Sequence, residues 1–179
     1  MNIYEDYQSY MEECSELIEM LKTNGKEVYY AIHDVIKVTD YILKQYQNNQ
    51  KIDEDLDEIF DIGYGFLANV LADMKTYYED AFNKNPKTFE TYSELLLYSI
   101  YIEDFKSFLE SEDLMNDDML QTINEMLNQL DSIFTHTKKF NPNLPMDLNA
   151  QLNALGTEKF KFKPAYSVFQ MICEELDLE

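Results

Sequence analysis

From Tyr4 to Leu21, the residues Tyr4, Tyr7, Met11, Cys14, Ile18 and Leu21 recur at alternating spacings of three and four. That is the period of one face of an α-helix. The same period returns along most of the chain. Val28, Ile32, Val35, Thr39, Ile42 and Tyr46 form a second stripe, and Leu56, Phe60, Gly63, Leu67, Val70, Met74 and Tyr77 a third. Tyr92, Leu95, Tyr98, Ile102, Phe105 and Leu109 make a fourth, and Met119, Ile123, Met126, Leu130 and Ile133 a fifth. Only four glycines and four prolines punctuate 179 residues, which disfavours a many-turned β-sandwich and suits long helices joined by few turns. The expected fold is all-α: an antiparallel bundle of about five long helices, plus a small C-terminal helical unit with a short extended segment.

The ends of these helices carry their own signals. Gly25, after Thr23-Asn24, is expected to supply a left-handed cap, and Asp53 to cap the start of the third helix. Gly63 and Gly65 inside that helix predict a kink or a close helix crossing. NKNPK (Asn83–Lys87) is a break, after which Thr88 is expected as a cap; Asn116, followed by two aspartates, opens the fifth helix. The tail differs in character. KKFNPNLPMD is a Pro/Asn-rich loop, Leu148–Leu155 a short helix ending at Gly156, and Ala165–Leu178 a last helix. Between them Lys159, Phe160, Lys161, Phe162 and Lys163 alternate with period two, which predicts an extended segment. The chain therefore divides by composition into an acidic helical bundle, 1–137, and a C-terminal region, 138–179, packing on the same domain.

Charge bounds the partners. Thirty-five acidic residues against fourteen lysines, with no arginine, give a formal net charge of −21. Such a field repels nucleic acid and anionic membrane and attracts basic proteins, and without arginine the bidentate grip on phosphate is missing. The longest apolar run, Leu95–Ile102, is too short to span a bilayer. The opening MNIYEDYQ has no apolar signal-peptide core, and Cys14 and Cys173 lie far apart with no metal-type spacing. A cytoplasmic protein with reduced thiols is expected, binding neither nucleic acid nor membrane directly; a homodimer is compatible with the sequence.

Two carboxylate patterns raise chemistry. KIDEDLDEIFDIG places Asp53, Asp55 and Asp57 at alternate positions, as a calcium loop does, but the sixth and twelfth positions hold Glu58 and Tyr64 where glycine and a bidentate glutamate are required. Glu13-x-x-Glu16 and Glu58-x-x-Asp61 resemble the paired ExxE and ExxD motifs of the all-α nucleotide pyrophosphohydrolases, the MazG and dimeric dUTPase families. LDEIFDIGYGFL is similar to the second-motif helix of the dimeric dUTPases. The resemblance implies a magnesium-dependent nucleotide pyrophosphohydrolase in which Glu13, Glu16, Glu58 and Asp61 hold the metal against substrate phosphates. The helical period argues otherwise. At roughly 100° per residue, both carboxylate pairs point about 170° from their own apolar stripes, outward rather than into a bundle.

His33 and His136 have no partner at ligand spacing, and neither a nucleophile elbow nor a glycine-rich phosphate loop is present. No catalytic residue and no cofactor is expected. What remains is a surface of tyrosines and carboxylates. Adjacent tyrosines, as at Tyr29-Tyr30 and Tyr77-Tyr78, cannot both face one core, and a tyrosine at a rim offers a large contact area with a polar tip. The leading expectation is a non-catalytic acidic binding protein, of immunity, antitoxin or nucleic-acid-mimic type, that sequesters a basic protein partner. Its contact residues would be Asp53, Asp57, Glu58, Asp61, Tyr77, Tyr78 and Tyr101. The Lys159–Lys163 segment is expected to fold back on the acidic helices.

Overall fold

The computed structural model describes residues 2–77, 86–136 and 141–178, and among them every regular element is helical, with no strand. In chain order these are α1 (Ile3–Glu13), α2 (Ser15–Asn24), α3 (Lys26–Gln47), α4 (Glu54–Tyr77), α5 (Pro86–Ser111), α6 (Asp117–His136), α7 (Leu144–Leu155) and α8 (Val168–Glu175). A single 3₁₀ turn, Ala165–Ser167, precedes α8. None of the described helices is long and apolar enough to cross a membrane.

Several helix ends follow the sequence and others depart from it. Asp53 Oδ1 accepts the Leu56 amide at 2.8 Å and Asn116 Oδ1 the Met119 amide at 2.9 Å, as expected of N-caps. The opening stripe, however, is carried by two helices that meet at Cys14. There the Ser15 hydroxyl donates to the Glu12 carbonyl at 2.9 Å, a local side-chain bond that competes with the helical ladder. Gly25 is not left-handed: at φ −139° it closes α2 through its amide and opens α3 through its carbonyl, with no loop between. α5 starts at Pro86 rather than at Thr88, because proline at the first turn has no amide to leave unsatisfied. α7 starts at Leu144 for the same reason, with Pro145 in its first turn.

The chain packs as two compact units. The first is Met1–Thr91 with Tyr166–Glu179; the second is Tyr92–Ala165.

In the first unit α3 is the central helix, meeting α2, α4 and α8. Its expected stripe is buried at Val28, Ile32, Val35, Thr39 and Ile42, and Val38 is buried as well, since neighbours on several sides widen the buried arc. Gly63 of α4 shows why. A Cβ there would lie 2.7 Å from Thr39 Cγ2 and 3.2 Å from the Phe169 ring, so glycine lets α3, α4 and α8 close on one another. The crossing expected at this glycine is present.

The second unit buries Leu95, Ile102, Phe105 and Leu109 of α5, Ile123, Met126 and Leu130 of α6, and Leu144, Leu148 and Leu152 of α7. Its most informative feature corrects the sequence reading. Residues 156–161 are a run of turns, not an extended segment. Gly156, at φ 111°, ends α7 with its own amide on the Asn153 carbonyl and the Thr157 amide on the Leu152 carbonyl. The Phe160 amide then bonds to the Gly156 carbonyl, and Lys161, at φ 53°, reverses the chain so that the Phe162 amide reaches the Thr157 carbonyl. In a strand Phe160 and Phe162 would share one face. Here the left-handed residue between them brings both rings onto α5, Phe160 within 6.3 Å of Phe108 and Phe162 within 5.1 Å of Phe105, centroid to centroid. The phenylalanines fold back on a helix; the lysines remain exposed.

Candidate functional site

The carboxylates of the expected contact set lie at the start of α4, Asp53 just before it and Asp57, Glu58 and Asp61 in its first turns. The acidic residues in the first turn of that helix, Glu54, Asp55 and Asp57, complement the positive end of its dipole. Behind them stands an aromatic layer contributed by α1, α3 and α4. Tyr4 is buried and stacks on Tyr46 with centroids 4.4 Å apart, and also packs on Phe60 at 4.6 Å. The Tyr4 hydroxyl donates to Asp57 Oδ1. Burial, reinforced by the bond to Asp57 and by the charges of Asp57 and Asp61, pushes the Tyr4 phenol well above its ordinary range.

Each expected contact residue can now be placed. Asp53 and Asp57 are exposed, yet both already hold an internal partner, the Leu56 amide and the Tyr4 hydroxyl. Glu58 and Asp61 are exposed on the outer side of α4. Tyr77 is the last residue of α4, of which only the backbone is described, and Tyr78 lies outside the described residues. Tyr101 belongs to the second unit, where it is half-buried with its ring edge-on to Phe162 at 5.2 Å. The four carboxylates thus lie along the start of α4, with Asp53 immediately before it and Asp57, Glu58 and Asp61 on it. Among the described residues, the most exposed tyrosine is one the contact set omits. Tyr30 is 68% exposed, while its neighbour Tyr29 is half-buried against His33 and Lys22, so the two do not both face a core.

The four carboxylates of the magnesium pattern, Glu13, Glu16, Glu58 and Asp61, are all exposed. The junction at Cys14 falls between Glu13, which ends α1, and Glu16, in the first turn of α2, so the first pair is not carried on one continuous helix. No group of three or more His, Cys, Asp or Glu side chains placed to hold a metal ion occurs among the described residues. His33 is half-exposed with Nδ1 3.5 Å from Asp34 Oδ1. Cys14 and Cys173 are free and buried; the Cys173 thiol lies 3.5 Å from the Asp34 carbonyl, and burial raises its pKa.

Deeper in the first unit, α1 and α3 are joined by a polar contact that no sequence signal announced. The fully buried Tyr7 places its hydroxyl 2.7 Å from Thr39 Oγ1 and donates to Asp40 Oδ1 at 2.7 Å. Burial raises the Asp40 pKa, against the opposing influence of the Tyr7 bond and of Lys44. This contact ties α1 to α3. No family model, curated protein or solved structure matches the chain.

Proposed function

We propose that the protein is a non-catalytic, acidic, helical binding protein that captures and neutralises a basic protein partner in the cytoplasm, in the manner of an immunity protein, an antitoxin or a nucleic-acid mimic. The observation that carries the reading is the net charge of −21, displayed through exposed carboxylates such as Glu12, Glu13, Glu16, Glu58 and Asp61. Long-range attraction would steer a cationic partner to this face, and its rate would fall steeply with salt. Glu58 and Asp61, exposed and without an internal hydrogen bond among the described residues, would meet the partner's basic groups directly. Asp53 and Asp57 would add field while continuing to hold Leu56 and Tyr4. Tyr30, Tyr77 and Tyr78 would supply the aromatic anchors of such docking.

The test is capture of partners from the native cytosol at low salt, with elution by salt and identification of what elutes. Retention of a basic protein at low salt that is lost at high salt, and weakened by Glu58→Lys with Asp61→Lys, is expected. Retention of nothing basic, or retention indifferent to salt and to the charge reversals, would remove the reading. A marked rise of melting temperature on adding magnesium with a nucleoside triphosphate would instead favour the pyrophosphohydrolase that the ExxE and ExxD pairs resemble.

A further inference from the structure

The second unit contains a cleft of about 430 Å³ whose lining runs against the charge of the whole chain. Two of the fourteen lysines of this protein, Lys161 and Lys163, line it. Both are exposed, and neither makes an ion pair among the described residues. Asn149 and Asn153, one turn apart on α7, present their side chains to the same space. The Asn153 carboxamide oxygen accepts the Thr157 hydroxyl at 3.1 Å, which leaves the NH₂ group of Asn153 as a donor. Tyr101, Thr157 and Phe162 also line this space. Glu158 also lines the cleft, so two lysines and one glutamate leave a local excess of one positive charge, with a carboxylate available to accept hydroxyls.

This lining is assembled by the left-handed turn at Lys161. With Phe160 and Phe162 anchored on α5, the lysines on either side of Phe162 are left outside, beside the α7 asparagines. The volume falls in the range of ordinary small-molecule sites. Carboxamide NH₂ groups and ammoniums are donors only, so the complementary guest is an acceptor-rich anion; a neutral or cationic guest would leave the lysines unanswered.

We propose that this cleft binds a small hydroxylated organic anion, its phosphate or carboxylate held by Lys161 and Lys163 and the Asn149 and Asn153 amides, and its hydroxyls by Glu158. The site is independent of the acidic face of the first unit, so it stands or falls apart from capture of a basic partner.

The experiment is titration of the ¹⁵N-labelled full chain, at low ionic strength, with glucose 6-phosphate, gluconate, inorganic phosphate and glucose. Saturable shifts of amides within 149–163 are expected with at least one of the two hydroxylated anions and not with glucose. The better of them identifies phosphate or carboxylate as the preferred group. Lys161→Asn with Lys163→Gln, which removes both charges while placing at 161 a residue that tolerates a left-handed backbone, is expected to weaken binding at least about tenfold. Asn149→Asp, on the exposed side of α7, is expected to weaken it comparably, and Lys22→Ala in the first unit to leave it unchanged. Should the double lysine variant not fold, Asn149→Asp alone decides. Absence of saturable shifts with either hydroxylated anion at millimolar concentration, equal response to glucose, or affinity untouched by the cleft variants would overturn the proposal.

Discussion

Tyr7, Thr39 and Asp40 present a proton-counting problem inside the first unit. With Asp40 ionised, the single Tyr7 proton goes to the carboxylate, and the single Thr39 proton is contested by the Tyr7 oxygen and the Val35 carbonyl, 2.9 Å away. With Asp40 protonated the chain can reverse, Asp40 to Tyr7 to Thr39 to Val35, and every proton has its own acceptor. Burial favours the same protonated form, hence a pKa raised above the ordinary 3.8. A carboxyl whose folded pKa exceeds its unfolded one contributes stability that is present below the unfolded value and lost as pH rises through the folded one. Asp40→Asn, whose NH₂ reproduces the reversed chain, is therefore expected to raise the melting temperature at pH 7. The gain should shrink as the pH falls towards 3.8, where wild-type Asp40 is itself becoming neutral. Melts of both proteins across this range check it, and a gain independent of pH would contradict it. Tyr7→Phe leaves the part-buried Asp40 carboxylate without its donor, while the Thr39 hydroxyl keeps the Val35 carbonyl, and should cost about 1–3 kcal/mol in chemical denaturation.

Within α4 two glycines separated by one residue behave oppositely. Gly63 sits where α3, α4 and α8 converge, and an added methyl would meet Thr39 Cγ2, a branched buried group with nowhere to swing. Gly65 is exposed, and a Cβ there meets nothing within 4 Å. Gly63→Ala is expected to destabilise by about 1–3 kcal/mol despite the better helix propensity of alanine, with partial recovery when combined with Thr39→Ser. Gly65→Ala should stabilise by about 0.5–1 kcal/mol, because helix propensity is all that changes. Urea titration of the four proteins reads both. The same contrast marks the limit of sequence reading for this element. A pair of helical glycines signals a crossing, but the pattern alone does not say which of the two lies at the contact.

Across the whole molecule the excess of carboxylates is the dominant long-range term. A net charge of −21 opposes compaction, and that self-repulsion is screened as the Debye length falls from about 30 Å at 0.01 M salt to about 8 Å at 0.15 M. The melting temperature is expected to rise by several degrees over this range of sodium chloride. A flat or falling profile would mean that specific ion pairs outweigh the net field. Lys22–Glu19 and His33–Asp34 are close-spaced pairs of this kind among the described residues.

The alternation of three and four determined the helices without help from tertiary structure, because helix formation and burial of a stripe are both local consequences of side-chain spacing. The outward aspect of Glu13, Glu16, Glu58 and Asp61 was legible for the same reason. Packing decided what no single stripe contains. Val38 is buried because α3 has several neighbours, Tyr7 finds Asp40 across a gap of 33 residues, and KFKFK becomes a turn. The last case is the sharpest. Period-two alternation describes which side chains are apolar, but Gly156 and Lys161 in left-handed conformations decide where they point. By sending both phenylalanines to α5 they also set two lysines beside the α7 asparagines, and so form a cleft that residue order alone did not disclose.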